Sequence, residues 1–478
     1  MQLNDVPGLL PGPAQPGRRA VVQQLLSALR TGQLQAGTRL PSARELARQW
    51  TVPRSAVDDA YAQLVSEGLI ERRVGSGSFV RSLAEHGELL KAAPATAARD
   101  PTPFTETLPL LRPLATDIDH FPMAAWKRHL RRAIGNQRDP LSYGPPAGLE
   151  SLRVATARFL RLTRSIDCAP EQILIVNSAM HAIELIAQVL LEPGAQVAVE
   201  DPGFPGVLRV MRQAHLNVVP VPVDEQGFDV AAAARLAPHA AAYYLHPLNQ
   251  YPTGWRTGAE RRRALLERAD AAGAWIIEGD HMAEISPRGE QPAALWRRDR
   301  AARVLYVGTF NGCMFPSLRL AFVLLPESLV PVFKAVRGMM GDHSPAAMQA
   351  ALASFLDAGQ LGMHLRQLRT LYDGRRRALC AGVAQQLGAR AQLGPTGAGV
   401  HACLHLPAEV PDQAVAATLA TRGVEVSALS ALCAQPRGLN GLVLGYGGSD
   451  EAQIVQALAI VNEVVDATRL AKPELSAW

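Results

Sequence analysis

Arginine is the residue that dominates the chemistry available to this chain. Residues 1–82 hold ten of them (Arg18, Arg19, Arg30, Arg39, Arg44, Arg48, Arg54, Arg72, Arg73, Arg81) and no lysine, against six acids. That surplus of four accounts for nearly all of the formal charge of +5. A basic end on a near-neutral body is the footprint of nucleic-acid binding, although ordinary surface charge has the same composition. The order of elements has to decide between them. Nucleophilic amines are scarce: the chain has four lysines, Lys91, Lys127, Lys334 and Lys472. The cysteines at 168, 313, 380, 403 and 433 have no metal-ligand spacing and read as reduced thiols in a cytoplasmic protein. His343, His364, His401 and His405 are not at metal spacing either, and Ser76, Ser178 and Ser317 lack a nucleophile signature. Arg319 and Arg437 are possible anion anchors, while Arg375, Arg376 and Arg377 read as a solvated helix face.

At 478 residues, 48% hydrophobic and 19% charged, the chain has apolar side chain enough for two to four folding units. No charged-then-apolar leader and no bilayer-length apolar run is apparent, so membrane association is not expected. The segmentation expected is a loose N-terminus (1–15), a first domain (16–82), an Ala/Pro/Thr-rich linker (83–120), a large domain (121–374) and a small one (375–478). Leu83–Ala93 could form a short helix within the linker.

The first domain carries three helical patterns. Val22, Leu25, Leu26 and Leu29 have amphipathic spacing and Gly32 ends the run. Ser42-Ala43-Arg44-Glu45 is a capping box opening a short helix. Val57, Ala60, Tyr61 and Leu64 form the apolar face of a third helix, followed by a hairpin with Gly75 and Gly77 in its turn. Short helix, tight turn, amphipathic helix and basic hairpin are the layout of a winged helix-turn-helix, so the partner expected is double-stranded DNA. On this reading Arg54 and Ser55 face the major groove, and Ser42, Arg44, Arg72, Arg73, Gly75 and Gly77 approach the phosphate backbone or minor groove. Asp58 and Asp59 repel phosphate and would serve discrimination instead. The stretches LQAGTRLPSAREL (34–46), VPRSAVDDAYAQLVSEG (52–68) and RRVGSGSFV (72–80) resemble the GntR family of regulators. Pro53 and Ala56 stand where that family usually has a hydroxyl.

Beyond residue 121, apolar strand-like runs alternate with helical stretches, the pattern of a mainly parallel α/β sheet whose site lies at strand C-termini. A smaller α+β unit should follow from about residue 375. The stretches YGPPAG (143–148), VEDPGFPG (199–206), NQYPTG (249–254), GTF (308–310), FPSLRL (315–320) and HLRQLRTLY (364–372) resemble fold type I pyridoxal-phosphate aminotransferases, in the variety fused to GntR domains and called MocR regulators.

The resemblance implies a homodimer, often head to tail, with a pocket for pyridoxal phosphate. It also places the cofactor residues, and most are altered. The Schiff-base lysine position falls at Gly312. The ring-nitrogen aspartate falls at Gly279 and the ring-hydroxyl tyrosine at His281, with Asp280 one residue out of phase. The phosphate turn reads Ser178-Ala179-Met180. Asn249 stands where these regulators usually have His, although classical aminotransferases use Asn there. Phe204, the ring-stacking position, and Arg319 remain. Four changes in one pocket imply a lobe that no longer holds the cofactor covalently and performs no amino transfer. Its roles would be dimerisation and sensing of a small-molecule effector. The alternatives are a true pyridoxal-phosphate enzyme and a regulator with residual, non-covalent cofactor binding.

Overall fold

The computed structural model describes residues 18–30, 33–66, 68–73, 76–81, 108–135, 143–286, 293–341, 343–396 and 399–470. The loose N-terminus, Gly32, Gly75, the Leu83–Ala93 helix, Lys91 and Lys472 lie outside the described residues. Two compact units divide the chain, Met1–Glu106 and Thr107–Trp478.

The first unit holds helices Arg18–Arg30, Ala43–Trp50 and Arg54–Ser66 and an antiparallel hairpin of β1 (Ile70–Arg73) and β2 (Gly77–Val80). The capping box forms: the Glu45 N–H donates to Ser42 Oγ at 3.2 Å and the Ser42 N–H to Glu45 Oε2 at 2.9 Å. Thr51, left-handed at φ 55°, ends the short helix. Leu25, Leu46, Val57, Leu64 and Ile70 join one buried core. A feature missing from the sequence reading is a third strand-like segment. Leu40 N–H donates to Ser78 O and Val80 N–H to Thr38 O, so residues 38–40 border the wing.

In the second unit an eight-stranded sheet has the order β3-β10-β9-β8-β7-β4-β5-β6. Its strands are β3 (Ile173–Val176), β4 (Gln196–Asp201), β5 (Asn217–Asp224), β6 (Gly227–Phe228), β7 (Ala240–Leu245), β8 (Trp275–Asp280), β9 (Val304–Thr309) and β10 (Ala321–Leu324). β10 runs antiparallel to both neighbours and β6 antiparallel to β5; the rest are parallel. Side chains alternate between two cores: Ile173 and Ile175 on one face, Leu174 and Val176 on the other. Burial on both faces is why these strands read as unbroken apolar runs. Gly148 closes the YGPPAG turn at φ +88°, where a Cβ would lie 2.5 Å from Ile175; position and conformation both demand glycine.

The small lobe is an antiparallel sheet, β11 (Gln392–Leu393), β12 (His401–His405), β14 (Gly441–Gly445) and β13 (Ser427–Ala428) in spatial order, with helices Asp412–Thr421 and Glu451–Leu470. Two expected boundaries shift. The 27-residue helix Gln360–Gln386 runs unbroken through the break placed at 374/375. Residues 108–120, read as linker, belong to the second unit: Leu111 is fully buried, and the Leu110 N–H donates to Gly423 O. Arg375 is also corrected. It is not a solvated residue but a buried partner of Asp117 at 2.6 Å. Arg376 and Arg377 do lie toward solvent, paired with Asp373.

His364, on the same helix, is 1% exposed and neither ring nitrogen has a partner. Its ring meets Phe121 edge-on at 5.3 Å. Burial lowers its pKa to about 4, with Asp117 opposing and His120 adding to that shift. A histidine held neutral binds fewer protons folded than unfolded, so its stabilisation is present above pH 6.5 and is lost as pH falls toward 4. His364→Phe should therefore remove up to about 3 kcal/mol from the acid-side loss of stability between those limits. Urea titrations at pH 7.5 and 4.5 on both proteins measure it, and equal acid sensitivity would contradict the assignment.

Candidate functional site

Among the described side chains of the first unit, Arg39, Arg44, Arg48, Arg54, Arg72, Arg73 and Arg81 are exposed. Arg54 opens the helix Arg54–Ser66 with its side chain 69% exposed, and it pairs with Asp58 one turn on at 3.4 Å. Ser55 is exposed beside it, whereas Ala56 and Val57 are buried, which fixes the face the helix offers to a groove. Arg44 is exposed at the start of the shorter helix. The Ser42 hydroxyl is engaged as a cap acceptor, so only its hydrogen is free for a phosphate. On the wing, Arg73 stacks over Phe79 at 4.7 Å and donates to Glu71 at 2.7 Å, while Arg72 is exposed. Gly77, at φ +111°, lies under a residue that sequence reasoning missed. A Cβ there would come within 3.1 Å of Arg39 Nε, so the Arg39 guanidinium lies across the wing. Its signal was only its place among the ten arginines, because the contact requires residues 38–40 to pair with β2.

In the second unit, the strand-end positions converge. Ser178 N-caps the helix Ala179–Leu190, accepting from the His181 N–H at 3.1 Å, with Ala179 and Met180 half-buried in its first turn. Phe204 packs edge-on to Tyr251 at 5.7 Å, and Tyr251 to His401 at 5.1 Å. Asn249 is buried with no partner for Oδ1.

The end of β8 separates its residues by strand alternation. Asp280 turns away to accept from Arg164 Nε at 2.7 Å and from the Tyr306 hydroxyl at 2.5 Å. Gly279 leaves a space that is already filled: a Cβ added there would sit 2.6 Å from the His246 ring and 3.2 Å from the Tyr244 hydroxyl. His246 is in turn hydrogen-bonded to Tyr244 at 3.1 Å and Glu200 at 3.3 Å. At Gly312 a Cβ would lie 2.8 Å from Met282 Cγ and 3.1 Å from His281 Cε1. Burial, then His246, lowers the His281 pKa to about 4; burial, then His281, does the same for His401. Two neutral imidazoles therefore stand in the pocket at neutral pH, each able to donate one hydrogen bond and accept another.

Arg319 is exposed, in the left-handed region at φ 54°. It borders the turn that carries Gly312, because the Phe310 N–H donates to Leu320 O and the Leu320 N–H to Asn311 Oδ1. Arg437 is not an available anion anchor, since Asp201 binds it at 2.7 Å. The two described lysines, Lys127 and Lys334, belong to helices Met123–Gly135 and Val330–Met340, not to the segments around Gly312. Among the described residues no group of three metal-ligating side chains occurs, and no helix is long and apolar enough to cross a membrane.

Comparison with known proteins agrees with this division. The profile of bacterial regulatory proteins of the gntR family matches residues 18–80, and that of aminotransferase class I and II matches residues 114–439. The chain is 31% identical to the probable rhizopine catabolism regulatory protein MocR of Rhizobium meliloti, covering 91% of each chain. It is 32% identical to the pyridoxine biosynthesis transcriptional regulator PdxR of Corynebacterium glutamicum, covering 93% of this chain and 95% of that one. An archaeal alanine:glyoxylate aminotransferase superposes at a TM-score of 0.72 and 22% identity, over 76% of this chain and 92% of its own, a likeness of fold. An exposed recognition helix with a basic wing, followed by an aminotransferase fold over the rest of the chain, places this protein in the MocR subfamily of GntR-type DNA-binding transcriptional regulators.

Proposed function

We propose that this regulator binds paired DNA half-sites as a homodimer, and that its aminotransferase-fold lobe serves assembly and effector sensing without covalently bound pyridoxal phosphate or amino transfer. The observation that carries the proposal is steric. The positions the resemblance assigns to the amine and the ring-nitrogen carboxylate are glycines, and Met282, His281 and His246 occupy the space where those side chains would begin. Asp280 does not replace the carboxylate, because Arg164 and Tyr306 hold it. The residues present therefore do not fit the cofactor of the aminotransferase family. A two-fold dimer matches a palindromic operator by symmetry. An effector would act by favouring one arrangement of the assembly over another, to the extent of its differential affinity for the two.

After incubation with pyridoxal phosphate and dialysis, the protein should show no visible aldimine absorbance, and borohydride trapping with peptide mapping should find adducts only on exposed amines such as Lys127; a reduced adduct on a pocket residue would overturn the proposal. Gly312→Lys alone should not create a stable aldimine. It should also lower the melting temperature, since overpacking a filled site costs about 1–3 kcal/mol. A coloured, cofactor-loaded Gly312→Lys protein would show that the neighbours yield.

The DNA reading has its own test. With the operator selected from random duplexes by the full-length protein, Arg54→Ala should weaken specific binding by about 1–3 kcal/mol. Fluorescence anisotropy measures it, and unchanged affinity would remove Arg54 from the contact set.

A further inference from the structure

A second concave site lies within the large unit, built from segments other than those around Gly312. A cavity of about 630 Å³ opens between the C-terminal end of the helix Glu150–Arg164, residues Ser286, Ala293 and Arg297, and the start of the helix Gln360–Gln386. Among the described residues its charged lining is strongly one-signed. Arg158, Arg164, Arg297, Arg366 and Arg369 face one carboxylate, Asp357, which Arg158 already engages at 2.7 Å.

Three of the five arginines have structural duties. Besides Arg158, Arg164 pairs with Asp280, and Arg369 donates to Glu284 O at 2.9 and 2.5 Å. Arg297 and Arg366 are exposed and have no side-chain partner among the described residues. Ser286, 3% exposed, is a further lining residue, and its hydroxyl has no hydrogen-bond partner. A buried hydroxyl left unpaired is costly, so its presence in a cavity wall points to a polar atom supplied from outside.

The rest of the wall is apolar. Phe159, Leu361 and Leu365 are buried around it, and Leu162 stands at the rim with 79% of its surface exposed. An inorganic ion would leave this apolar surface uncovered, and a neutral apolar molecule would leave the two arginines and the serine unused. We infer that the cavity is a binding site for an organic carboxylate with an apolar body of one or two rings, its carboxylate held by Arg297 and Arg366 and its body against Phe159, Leu361 and Leu365. The volume falls within the range of small-molecule sites, and guanidinium forks suit a carboxylate geometrically. Arg164 also connects the cavity to the strand end that carries His281, since its partner Asp280 precedes that residue in the chain. The inference rests on this cavity alone and stands whether or not the strand-end pocket binds the cofactor.

The test is isothermal titration calorimetry on the full-length protein with 2-naphthoate, its uncharged amide 2-naphthamide, and acetate. Naphthoate should bind at least about tenfold more tightly than either, one charged contact or one buried body being worth at least that factor. The double variant Arg297→Ala/Arg366→Ala, at exposed positions whose side chains have no hydrogen-bond or ion-pair partner among the described residues, should weaken naphthoate by about tenfold or more. Gly362→Leu supplies the steric control: it lines the cavity and a Cβ there meets nothing within 4 Å, so the variant should fold and exclude the ligand. Equal binding of naphthoate and naphthamide, unchanged affinity in both variants, or no binding of naphthoate would each overturn the assignment.

Discussion

The period of two along β8 is the constraint on which both sites of the large unit depend. Glu278 and Asp280 face the sheet interior. The first accepts the Leu295 and Trp296 N–H groups, and the second is clamped by Arg164 and Tyr306. Gly279 takes the opposite face, against His246. No side chain can be borrowed across that boundary, because a shift of one residue would drive a buried aspartate away from its arginine. Breaking such a pair by removing one partner typically costs about 3–5 kcal/mol. A carboxylate one position from the cofactor-binding phase is therefore as remote from that role as one in another element.

The first unit shows the opposite regime. Arg54 with Asp58, and Arg73 with Glu71, are exposed pairs, and pairs of that kind contribute roughly 0–1 kcal/mol. Such a pair can hold a guanidinium in one direction while free and release it to phosphate or guanine at little cost. Asp58 then has a purpose on a helix that meets DNA. On that reading it would limit attachment to arbitrary phosphate, and a site that offers Arg54 a better acceptor would replace it.

Local rules made much of this legible from sequence. The Ser42–Glu45 box, the face of Val57, Ala60, Tyr61 and Leu64, and the runs at Ile173–Val176 and Val304–Thr309 depend on neighbours three, four or two residues away. What stayed hidden depends on distant partners. Arg375 looked solvated because Asp117, 258 residues earlier, cannot be seen in its local pattern. Arg437 looked free because Asp201 is 236 residues away. Arg39 on the wing and His246 behind Gly279 were hidden for the same reason. The altered strand-end positions could be read, through resemblance to the aminotransferases. The packing around them could not, since nothing in the spacing of His246 and Gly279 announces that the ring of one lies where a side chain on the other would begin.

The proposed loss of the cofactor would have an energetic logic. Removing a lysine side chain and a carboxylate from a packed interior leaves voids, and a void costs about 24 cal/mol per Å³ when its walls do not relax. An enzyme retains a hollow of this kind because cofactor binding offsets it. On the proposed reading, a lobe without that ligand would gain stability from Met282 and the imidazoles of His281 and His246 packing against Gly312 and Gly279. The strand-end site is one of neutral donors and acceptors, with Asn249 Oδ1 and both His401 ring nitrogens unpaired. On the proposed reading, the fold would be kept for its shape, with Met282, His281 and His246 packed where the cofactor-binding side chains would begin.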